Sequence, residues 1–110
     1  MTLPTAFLRT AIICLSFFAQ TTLADFGCTG PVRVVMEWPD HCDGRLAYMA
    51  DANNSKWVCT LSQRSESMVL AAVASGLKLT TVFPDSVNAT CATLDTHYLS
   101  PRYIMVRNDQ

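Results

Sequence analysis

The chain has little of several things that chemistry needs. It carries two histidines, His41 and His97, far apart in sequence. No Cys-x-x-Cys pair accompanies them, so the closely spaced Cys or His ligands of a structural zinc site are missing. Four glycines are too scattered to form a phosphate-cradling loop, and neither Gly-x-Ser-x-Gly nor His-Glu-x-x-His occurs. No two carboxylates are placed for acid–base work. The chain therefore reads as a non-enzyme with no cofactor. There is no basic excess either: 8 Lys and Arg against 9 Asp and Glu give a net charge of −1. That excludes the electrostatic footprint of a nucleic-acid or anionic-membrane binder. No apolar run approaches the roughly 20 residues of a membrane span, so stable membrane insertion is not expected.

What is present begins with an export signal. Arg9 is the only charge before a nine-residue apolar run, Ala11–Ala19, and Thr22-Leu23-Ala24 has small residues where a signal peptidase reads. Residues 1–24 read as a secretory signal peptide, with cleavage before Asp25. Residues 25–110 then form one small domain, secreted or periplasmic. Arg9 would leave with the signal, so seven basic residues would face nine acids. Cys14 would leave too, and Cys28, Cys42, Cys59 and Cys91 remain. An even number in a short exported chain predicts two disulfides, and a domain of this size needs such staples. Spacing alone leaves three connectivities open.

The periodicities predict mainly β structure with one helix. Strands are expected over 31–38, 45–50, 56–61, 77–83 and 102–107. In the first, Val32, Val34 and Met36 alternate against Arg33, Val35 and Glu37. Ser62 or Ser65 can cap a helix that Gly76 terminates in a left-handed conformation. Met68, Val69, Leu70, Val73 and Ala74 make that helix apolar nearly all round. A wet face of that kind marks an interface, so self-association is expected. Residues 84–97 form a long loop holding Cys91.

The order β-β-β-α-β-β, with a helix between the third and fourth strands, is the layout of a five-stranded OB-type barrel. Within that class the chain resembles the B subunits of bacterial AB5 toxins, the pertussis-like and subtilase-type group. The likeness rests on a signal peptide before a short Cys-containing N-terminus and on Lys56-Trp57-Val58-Cys59. An Ala-rich helix running into Ala74-Ser75-Gly76-Leu77-Lys78-Leu79 completes it. The resemblance implies a homopentamer with helices around a central pore, a catalytic A subunit as partner, and binding to host cell-surface glycans. A hydroxyl residue near the first strand contacts the sugar in that group; Thr29 is the matching position, with Thr for the usual Ser. Asp51, Asn53 and Asn54, in the loop between the second and third strands, are further candidate glycan contacts. The cysteines are distributed differently from the group's pattern. The alternative function is a small exported OB-fold accessory protein with no glycan ligand.

In an OB-type barrel the first and fourth strands pair antiparallel. That favours Cys28 with Cys91 and Cys42 with Cys59, against a rival pairing of Cys59 with Cys91. Asp40-His41-Cys42-Asp43 is the densest polar cluster; a disulfide-pinned turn is expected there rather than a metal site. Trp57 and Tyr103 read as core, whereas Trp38 and Tyr98 are candidates for exposed sugar-stacking rings. Asn53-Asn54-Ser55 and Asn88-Ala89-Thr90 match the glycosylation acceptor pattern, which is common by chance.

Overall fold

The computed structural model describes residues 24–109; nearly all of the signal-peptide segment expected over 1–24 lies outside the described residues. Five strands form one antiparallel sheet: β1 (Phe26–Glu37), β2 (Leu46–Ala50), β3 (Trp57–Cys59), β4 (Lys78–Phe83) and β5 (Tyr103–Arg107). One α-helix is present among the described residues, α1 (Gln63–Ser75), and it follows β3. Across the sheet the order is β3-β2-β1-β4-β5, which differs from the order along the chain. β3 and β5 are the two edges, and no ladder joins them into a closed barrel. The closest link is a single parallel bridge between Val58 of β3 and Leu99, four residues before β5.

β1 organises the fold. Its first half, Phe26–Pro31, pairs with β4, and its second half, Val32–Glu37, pairs with β2. The switch of partner falls where the sequence permits it. Pro31 has no N–H to give a ladder, and Arg33 is an extra residue bulged out between Val32 and Val34. The bulge breaks the strict alternation expected of this strand. Val32 and Val35, three apart, both pack against the core, while Val34 is 41% exposed. The segment Phe26–Gly30, outside the expected first strand, is strand because β4 supplies the partner.

The core lies between the sheet and α1. It gathers Cys28, Tyr48, Val58, Val69, Ala72, Leu79, Phe83 and Leu94. At its centre the Tyr48 hydroxyl and Thr81 Oγ1 share a 2.7 Å hydrogen bond. Burial raises the Tyr48 phenol well above its ordinary pKa, and that bond offsets only part of the rise. α1 is capped as its sequence suggests: Ser62 accepts from the Ser65 amide, and Gly76 closes the helix at φ 67°. Its buried stripe is Ser65, Val69 and Ala72, at i, i+4 and i+7, and Val73 faces out.

Two disulfides staple the ends. Cys28 of β1 joins Cys91 and draws the 84–102 connection onto the core, where Leu94 is buried. Cys42 joins Cys59 and pins the turn after β1 to edge strand β3. These are the pairs that strand topology favoured. Among the described residues no helix is long and apolar enough to cross a membrane.

Candidate functional site

Thr29 lies inside β1 rather than ahead of it, opposite Thr80 of β4. Its side chain is on the sheet's outer face, where Thr29 Oγ1 and Thr80 Oγ1 share a 2.7 Å bond. The hydroxyl is thereby oriented, and Thr29 remains exposed. With Lys78, Arg107 and Asp109 it lines an open basin of about 270 Å³. Register explains the grouping, because Lys78 of β4 faces Arg107 of β5. Asp109 takes the Arg107 guanidinium in a two-point contact, with Nε donating to Oδ1 at 2.9 Å. That pair holds the Asp109 carboxyl below the usual range and raises Arg107 further. Lys78 forms no ion pair among the described residues, although it lies near enough to help hold the Asp109 carboxyl down; two cations and one carboxylate leave the basin with a net positive charge.

The other sequence candidates do not join Thr29. The turn Asp51–Asn53 packs on the opposite face of β1, with Ala52 against Gly30. Asp51 is exposed and accepts from Arg33 Nη1 at 2.6 Å and from Ser55 Oγ at 3.2 Å. The Arg33 bond, first among the causes, lowers its pKa. Asn53 is 1% exposed, so it is withdrawn from any surface ligand. Neither its Oδ1 nor its Nδ2 has a hydrogen-bond partner among the described residues. Asn54 adopts φ 55° and donates from Nδ2 to the Leu94 carbonyl at 2.7 Å, so its amide serves the loop beneath it. Of the four residues, only Thr29 and Asp51 present side chains to solvent without a structural backbone contact. They sit on different faces.

The aromatic residues sort differently from their sequence reading. Tyr103, expected in the core, is 47% exposed on the outer face of β5, and Met105 beside it is 38% exposed. Trp57 is half-buried at the sheet edge. Trp38 is 45% exposed and belongs to a row of rings with His41 and Tyr98. The His41 and Tyr98 planes lie 7° apart with centroids separated by 4.1 Å. Sequence spacing could not find this row, because it joins the turn after β1 to a segment 57 residues later. Cys42 is oxidised in its disulfide, so the polar turn offers no thiolate.

A second depression, about 520 Å³ and wide open, is lined by Arg45, Ser62, Gln63 and Arg64. On α1, Leu70 and Val73 are 50% and 46% exposed and sit one turn apart. Comparison with family models, curated proteins and solved structures returned no match.

Proposed function

We propose that the chain is an exported, non-enzymatic binding subunit that takes an acidic sugar at the Thr29 basin and self-associates through α1. The basin carries this reading. An oriented hydroxyl lies beside an ammonium that forms no ion pair among the described residues, in a basin of net positive charge and a volume that suits one sugar ring. Lys78 attracts the sugar's carboxylate, Thr29 bonds a ring substituent, and Asp109 accepts from a sugar hydroxyl. Tyr103 and Met105 supply apolar surface on the same face. Two disulfides suit an oxidising compartment.

In this reading the sheet is a partly open OB-type barrel. Its support is the order β3-β2-β1-β4-β5 together with the Val58–Leu99 bridge, which ties β3 to the segment leading into β5. The protein acts as the receptor-binding B subunit of an AB5-type toxin, five copies carrying one catalytic A subunit. Leu70 and Val73 support self-association, because two large apolar side chains one turn apart gain by leaving water.

Two measurements test it. On a glycan array the protein should retain sialylated structures, and Lys78→Ala and Thr29→Val should each reduce retention. Light scattering should give a pentamer that Leu70→Ser with Val73→Ser disperses. A blank array removes the sugar assignment. A monomeric wild type removes the subunit assignment and favours an exported accessory protein without a glycan ligand.

A further inference from the structure

We propose that the ring stack formed by exposed Trp38 and His41 with half-buried Tyr98 is a docking site for an arginine side chain displayed by a partner polypeptide. It lies at the opposite end of β1 from Thr29 and does not depend on the glycan reading.

The stack is assembled deliberately from two distant segments. Tyr98 holds φ 66°, a left-handed conformation that is unfavourable for a bulky residue. Cys42 and Asp43 in the facing turn hold φ 59° and 55°. Three contacts fasten the Tyr98 segment to β3. The Tyr98 amide donates to the Trp57 carbonyl at 2.6 Å, and the Cys59 amide donates to the Leu99 carbonyl at 2.8 Å. The Trp57 amide in turn donates to His97 Nδ1 at 3.1 Å. The Cys42–Cys59 disulfide fastens the turn to the same strand. None of the three rings belongs to the core cluster, so core packing does not account for them. Trp38 lies 5.9 Å from His41 at 37° and keeps nearly half its surface open.

Charge selects the guest. Glu37, Asp40 and Asp43 flank Trp38 and His41 in sequence, and Asp95 precedes the Tyr98 segment. All four are exposed, and none is in an ion pair among the described residues. The cation of this turn, Arg45, lines the separate depression with Ser62, Gln63 and Arg64. An open indole in a turn whose exposed carboxylates stand outside any ion pair among the described residues is complementary to a planar cation that both stacks and donates. Guanidinium meets that description: it is weakly hydrated, lies flat on aromatic rings and bonds carboxylates in a fork. A lysine ammonium is more strongly hydrated, and a neutral sugar gains nothing from the negative field.

The test is a titration of nitrogen-15-labelled protein with acetyl-Gly-Arg-Gly-amide, and with its citrulline and lysine counterparts. Citrulline keeps the shape of arginine and removes the charge. The arginine peptide should shift the Trp38 indole N–H saturably. The citrulline peptide should bind about twofold to thirtyfold more weakly, the range expected of a cation–π contact. Trp38→Ala should abolish the shift pattern elsewhere in the turn. Asp40→Asn with Asp43→Asn should weaken binding and flatten its salt dependence. This double change sits on an exposed turn, so it carries the test should Trp38→Ala not fold. Equal binding of the citrulline peptide overturns the proposal. So does a shift centred on Trp57, tighter binding of a methyl pyranoside, or the lack of saturation.

Discussion

Gly30 and Ala52 are the point where the hairpin turn seats on β1, and a double-mutant cycle can measure that seat. A Cβ added at Gly30 would lie 2.9 Å from the Ala52 Cβ. Carbon atoms in contact settle at about 3.5–4.0 Å, so the turn must retreat by roughly 0.6–1 Å. Overpacking of that size costs about 1–3 kcal/mol. Gly30→Ala should therefore lower the urea midpoint with the disulfides intact. Ala52→Gly alone should cost about 1 kcal/mol, from a lost methyl and a freer backbone. Combined, the two should partly rescue each other, because the double variant restores the gap. We expect the double variant to be more stable than the sum of the singles by about 1–2 kcal/mol, within the range for residues in contact. Amide resonances of residues 51–56 should move in Gly30→Ala and return in the double variant. Additivity within about 0.5 kcal/mol would refute the reasoning, since independent sites behave that way.

Tyr48→Phe should cost about 1–2 kcal/mol in denaturant unfolding, because it leaves the buried Thr81 hydroxyl without its partner. The wild type should also lose stability relative to Tyr48→Phe as pH rises past about 10, where the unfolded tyrosine ionises but the buried phenol resists. Replacing both Cys28 and Cys91 by Ala should cost about 4 kcal/mol, and Cys42 with Cys59 about 3 kcal/mol, because the first pair closes the longer loop. Calorimetry on the two variants checks the ranking, and a reversed order would count against the loop-closure account. Ser62→Ala should cost about 1 kcal/mol in denaturant unfolding by uncapping α1, and Ser62→Asp should recover most of it.

Local chemistry made some of this fold readable from the chain. Ser62 and Gly76 bracket the helix because a hydroxyl can satisfy a first-turn amide and glycine can take a positive φ. The second, fourth and fifth strands fall within a residue of their expected bounds; the fourth and fifth are rich in β-branched and aromatic residues, and the second alternates Leu46 and Tyr48 between turn-forming segments. β1 was harder. Phe26–Gly30 contains two glycines and lacks a strand pattern, yet β4 pairs with it residue for residue. The Arg33 bulge turned Val35 inward and Val34 outward, which a regular period of two cannot express.

The candidate sites divide the same way. Thr29 was reached through family likeness, but Lys78, Arg107 and Asp109 became its neighbours only through the β1–β4–β5 register. Asn53 reads as a polar loop residue, and folding buried it because the 51–53 turn lies flat on Gly30. Tyr103 alternates like a core residue, and its face of β5 turned out to be the outer one.

By itself the sequence determined the element types, the helix caps and an even set of four cysteines in the described domain. Those depend on contacts within a few residues, so spacing and residue chemistry suffice. Only the tertiary structure decided which face of each strand is wet, which cysteines bond and which side chains share a basin or a ring stack. Those groupings bring together residues 17 to 80 positions apart: Cys42 with Cys59, His41 with Tyr98, Thr29 with Asp109. Such pairings are set by sheet register and by a bulge of one residue, and no local pattern encodes either.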